Sequence, residues 1–202
     1  MNTIHHAQVD LNRGTILRIV LIISLIMVFL LVIMGWPLSI QAKTEATIIV
    51  TTPLDELNDN GKCSLREAIE AANTNTAVDD CQAGSSGPDT IIFATKLNNM
   101  PIVLSGAADD DKNKTGDLDI HDGGNLTILG NDAKVTIIDG GGIDRVFHVC
   151  PGGGCKIVVT FRELTIQNGT VTGDGGGIYS EAGVTIIDDS SIISNCPYIL
   201  YS

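Results

Sequence analysis

One three-residue phrase recurs in the second half of this chain: Leu126-Thr-Ile128, Val135-Thr-Ile137, Leu164-Thr-Ile166 and Val184-Thr-Ile186. In an extended strand each copy points two aliphatic side chains inward and one threonine outward. Between the copies stand Gly140-Gly-Gly142, Asn168-Gly169 and Gly175-Gly-Gly177, which permit the left-handed backbone of a sharp turn. The phrases at 164–166 and 184–186 predict stacked coils of about twenty residues, each burying its face against its neighbours. A β-sandwich also uses short strands, but the longer alternating strands of hairpin proteins are missing. On this reading Val184, Ile186 and Ile192 stack on the coil of Leu164 and Ile166 in parallel pairing. Phe161 and Leu164 both want the interior, which implies a corner at Arg162-Glu163. Phe147 and Val149 flank His148, so the alternation points His148 outward.

Upstream, Thr47–Thr52, Thr90–Ala94 and Ile102–Leu104 read as further strands. Only one convincing helix stands outside the N-terminal apolar segment, over 64–73. Ser64 and Glu67 form a capping box, hydroxyl to backbone forward and carboxylate to backbone in return. Leu65, Ala68, Ile69 and Ala72 share one face at helical spacing. Arg66 and Glu70 are expected one turn apart on the outside. Asn73 tolerates the conformation that ends a helix. A helix this short needs tertiary packing, so Leu65 and Ile69 are expected against the first coil, as a lid on the open end of a solenoid.

The run Cys63-Ser-Leu-Arg-Glu-Ala-Ile69, with Asp55-Glu56-Leu57-Asn58 before it and Ala71-Ala72-Asn73 after it, resembles the signature of bacterial CSLREA-domain proteins. The resemblance extends from about Ala46 to Asn195. It implies an all-β chain with a right-handed parallel β-helix of the pectin lyase-like kind, secreted or surface-exposed, and implies no reaction. Gly175–Ile178 and Ser191–Asn195 also resemble, more weakly, the repeat of polymorphic outer-membrane proteins. The expected organisation is therefore a leader at 1–42, an N-terminal cap at 43–94 containing the helix, and β-helix coils at 95–202. No capping helix or anchor follows Asn195–Ser202, so a truncated C-terminus, with the chain a fragment of a longer protein, is expected.

Within the leader, Ile19–Met34 is apolar except for Ser24, preceded by Arg13 and Arg18 and followed by Gly35-Trp36-Pro37, Ser39 and Ala42. That order fits a signal peptide cleaved after Ala42, with an uncleaved membrane anchor as the alternative. Either predicts export, to a secreted or cell-surface address. Oxidising conditions then make Cys63–Cys81 and Cys150–Cys155 natural disulfides, leaving Cys196 odd. Zinc held by these cysteines is disfavoured, because His121 and His148 are not at ligand spacing from them.

The formal net charge is −12, and removing 1–42 takes away Asp10 against Arg13 and Arg18, leaving the remainder slightly more acidic. An acidic surface repels nucleic acid and anionic lipid, so neither is an expected partner; the membrane enters only through an uncleaved leader. Extracellular glycans or surface proteins are the expected partners. No cofactor is required. Calcium is a minor alternative at two places: the Glu56–Gly61 loop with Glu67, and the acidic excursion 107–124 with Asp109, Asp110, Asp111, Asp117, Asp119 and Asp122. Catalysis finds little to stand on. Asp188-Asp189 are adjacent strand residues facing opposite sides, and Arg66, Arg145 and Arg162 are the only arginines after the leader. The expectation is a non-catalytic, adhesin-like or structural module; the alternative is a fragment of a β-helix polysaccharide lyase or hydrolase.

Overall fold

The computed structural model describes residues 12–34, 44–108, 111–121, 123–181 and 183–193. The chain divides after Ala42 into two units. The described part of the first is helix α1 (Arg13–Met34), which contains the apolar run. Among the described residues no helix is long and apolar enough to cross a membrane.

The second unit is β-rich, and among the described residues its strand-to-strand ladders are all parallel. One sheet has the order β1 (Ala46–Val50), β2 (Asp89–Phe93), β5 (Leu126–Leu129), β8 (Val158–Arg162), β11 (Val184–Asp188). A second contains β3 (Ile102–Val103), β6 (Ile137–Asp139), β9 (Thr165–Gln167) and β12 (Ser191–Ile193). The third contains β4 (Leu118–Ile120), β7 (Phe147–Val149) and β10 (Ile178–Ser180). From β2 onward the chain visits the three sheets in one cyclic order.

Register stacks like on like. Ile48, Ile91, Ile128 and Phe161 occupy successive rungs of the first sheet, and all are fully buried. Ile102, Ile138, Ile166 and Ile192 form a second column, and Leu118, Phe147 and Ile178 a third. Burying each such side chain stabilises by about 1.5–3 kcal/mol. The Phe147 and Phe161 rings, from different sheets, meet at 4.6 Å between centroids.

Helix α2 (Leu65–Thr74) packs against β1, β2 and β4. Its capping box is complete, and Leu65, Ala68, Ile69 and Ala72 are buried. Two expectations about it are corrected. Arg66 lies inside, because Asp55 and two backbone carbonyls, of Gly116 and Asp117, accept its donors. The left-handed residue that ends the helix is Asn75, with φ 53°. Asn73 instead holds the next segment, donating to the Asp119 carbonyl and accepting from the His121 N–H.

The corner at Arg162-Glu163 is present. Phe161 and Leu164 are both buried, and Glu163 takes φ 54° where the chain leaves one sheet for another. The repeated phrase holds at 126–128 and fails twice. At 135–137 the Val135 and Thr136 N–H groups both donate to the Asp132 carbonyl, so a turn delays the strand. Thr136 is thereby drawn inside, where its hydroxyl accepts from Asn131, and Ile138 takes the core position. At 184–186 the pairing is parallel as expected, and Ile192 does stack on Ile166. Val184 and Ile186, however, align with Val158 and Thr160 rather than with Leu164 and Ile166, and Ile186 is exposed. Gly183 explains this register. It sits at φ 81° so close to Ile157 that a Cβ would come 2.4 Å from the carbonyl oxygen, seating β11 directly beside β8.

Candidate functional site

Both cysteine couples are bridged, Cys63–Cys81 with Cα atoms 4.8 Å apart and Cys150–Cys155 with 5.9 Å. Two disulfides fit an oxidising, extracellular environment; Cys196 lies outside the described residues. The first bridge fastens the segment before α2 to the segment after it. Ser64 accepts from the Glu67 N–H, while Glu67 accepts from the N–H groups of Ser64 and Asn58 at 2.9 and 2.8 Å. In the Glu56–Gly61 loop, the Asp79 carboxylate accepts from Asn60, Gly61 and Lys62.

The densest chemistry lies elsewhere, on the third sheet. The ladder sets Asp119 of β4, His148 of β7 and Tyr179 of β10 side by side on the face away from the aliphatic column. Strand alternation does turn His148 away from the core, but it is not at the surface: it is 4% exposed. The acidic excursion covers it. Asn113 is buried there, its N–H donating to Asp119 Oδ2 at 2.7 Å and its amide to the Arg66 carbonyl at 2.9 Å. Asp109, Asp110 and Asp122 lie outside the described residues.

Around the imidazole, Nδ1 is 3.3 Å from Asp111 Oδ1, 3.6 Å from Asp119 Oδ1 and 3.9 Å from Asp117 Oδ2. On the ring's other side, Nε2 is 2.9 Å from Glu181 Oε1. The Arg145 guanidinium lies 3.6 Å from Asp117 Oδ2 and sits over the Tyr179 ring at 5.0 Å. Burial pushes the Asp117 carboxyl up to about 8, helped by the Asp119 and Asp144 charges and opposed by Arg145. Burial also holds His148 below the usual imidazole range, against the pull of Glu181. The cluster therefore crowds carboxyl groups around a buried imidazole, an arrangement that can hold a proton or a cation.

The sequence marks Asp111, Asp117 and Asp119 as acidic-loop residues and points His148 outward, as it is, but does not show that the 111–117 segment buries it. No local signal joins His148 to them, since the β4–β7 register brings together residues far apart in the chain.

No family model matches this chain, and neither a curated protein nor a solved structure matches it.

Proposed function

We propose that the second unit is a right-handed parallel β-helix with α2 as its N-terminal cap, acting as a non-catalytic extracellular or cell-surface module, adhesin-like or structural. The observation that carries this reading is the cyclic visiting of three parallel sheets with like residues stacked rung on rung. Such stacking builds a long, regular surface on which other molecules can be displayed or bound. The two disulfides support export. The resemblance of Cys63–Ile69 to the CSLREA signature supports the same address.

The enzyme alternative requires carboxylates facing an open groove at a set separation. Asp119 and His148 instead lie beneath the 111–117 segment with almost no solvent contact, which favours a structural role for them. The test is to screen the full chain, purified from an oxidising export compartment, on a glycan array and against acidic polysaccharides in parallel. Saturable binding with no change in polymer length supports the module. Release of unsaturated or reducing ends would establish the enzyme reading in its place.

A further inference from the structure

Three donor atoms converge on one point of the third sheet, with a fourth carboxylate close to one of them. Asp111, Asp119 and His148 each offer an atom, all within 4.8 Å of one another, and Asp117 Oδ2 lies 3.9 Å from His148 Nδ1. A cluster of acids alone would signify little. Here a buried imidazole is aimed into it, with a side chain only 5% exposed. Its Nδ1 makes no hydrogen bond. A buried acceptor that makes no hydrogen bond is costly, and a bound cation would satisfy it.

The other ring nitrogen explains which way the lone pair points. Nε2 lies 2.9 Å from the Glu181 carboxylate, the outer-shell contact that fixes the tautomer of metal-bound histidines. With the Nε2 proton donated there, Nδ1 presents its lone pair to the carboxylate oxygens. We propose that Asp111, Asp119 and His148, with Asp117 alongside, bind one first-row divalent metal ion, zinc by preference, which staples the segment around Asp111 to β4 and β7.

Spacing and donor type select the ion. Donors about 2.0–2.2 Å from a tetrahedral zinc stand roughly 3.4 Å apart, and Nδ1 lies 3.3 and 3.6 Å from the Asp111 and Asp119 oxygens. Calcium takes six to eight oxygens at longer range, so a nitrogen among few donors disfavours it. Imidazole suits zinc and the other late first-row ions, whereas an all-carboxylate set would suit magnesium, calcium or manganese. Arg145, 3.6 Å from Asp117, offsets part of the surplus negative charge.

The test strips the full chain with EDTA and titrates it calorimetrically with zinc chloride, with manganese and calcium chlorides run alongside. One zinc per chain is expected. His148→Ala and Asp119→Asn should weaken it by about 100-fold, and Asp111→Asn and Glu181→Gln by about 10-fold or more. Asp111 is 71% exposed, so its loss leaves the fold intact and separates binding from misfolding. X-ray absorption at the zinc edge should show one imidazole with oxygen donors. No zinc uptake, uptake unchanged in Asp111→Asn, or an edge spectrum with sulfur or several imidazoles would overturn the proposal. A calcium site indifferent to His148→Ala would overturn it as well.

Discussion

Arg66 and Asp55 form a two-pronged ion pair, Nε to Oδ1 at 2.7 Å and Nη2 to Oδ2 at 3.0 Å, with side chains 2% and 3% exposed. The same guanidinium donates to the carbonyls of Gly116 and Asp117, at 2.9 and 2.8 Å. One residue of α2 thus ties the segment before the helix to the end of the acidic excursion. Asp55 is held in turn by the Ser105 N–H at 2.8 Å.

Removing either partner leaves a buried charge uncompensated, so Arg66→Ala and Asp55→Ala should each destabilise by about 3–5 kcal/mol. Arg66→Lys should recover only part of this, because an ammonium cannot reproduce the fork. Urea unfolding of the three variants checks it. Loss in Arg66→Ala no greater than for an exposed pair would show that the interaction is solvent-screened.

The helix gives a second prediction. Ile69 is fully buried, and Ile69→Ala should cost about 2–5 kcal/mol through lost burial and a residual cavity. Ser64→Ala removes the acceptor of the Glu67 N–H and should cost about 0.5–2 kcal/mol. Denaturant midpoints that leave Ile69→Ala indistinguishable from the parent would contradict the packing of α2 on the sheets.

Acid should act at the Glu56–Gly61 loop through Asp79. Backbone N–H donors, that of Asn60 foremost, hold its carboxyl below the ordinary 3.8. A depressed folded-state value contributes stability that is complete above the unfolded value and is lost as pH falls through the folded one. Amide exchange at Gly61 should therefore accelerate in the parent as pH drops from about 5 to about 2.5, beyond the intrinsic trend, whereas Asp79→Ala should show no added change. Equal pH responses in the two proteins would remove the carboxylate from the account.

Local chemistry was legible in the sequence, and long-range register only in part: Ile192 does stack on Ile166 in parallel pairing. Ser64 with Glu67, and Phe161 with Leu164, declare the cap and the corner because each signal lies within a few residues. Val184-Thr-Ile186 stacks on the expected coil, beside β8, but misleads on facing, because Gly183 seats the strand against Ile157 with Ile186 exposed. Thr136 misleads because an Asp132 turn absorbs the residues that pattern alone assigns to a strand. Arg66 looks like a surface residue until Asp55, Gly116 and Asp117 arrive around it. His148 meets Asp119 only once β4 and β7 pair.

The stacking of parallel rungs is the claim on which the rest depends, and Thr90, Thr127 and Thr160 test it. They occupy one column of the first sheet, Thr90 beside Thr127 and Thr127 beside Thr160, on the face turned away from the buried residues. Spin labels placed in pairs on cysteines introduced at these threonines can be read by electron paramagnetic resonance. Rungs about 4.8 Å apart place positions 127 and 160 one step from each other and positions 90 and 160 two steps, about 10 Å between backbones. The account predicts strong dipolar broadening for 127/160, weaker broadening for 90/160, and the same order in every preparation. Broadening absent from 127/160, or stronger in 90/160 than in 127/160, would contradict it.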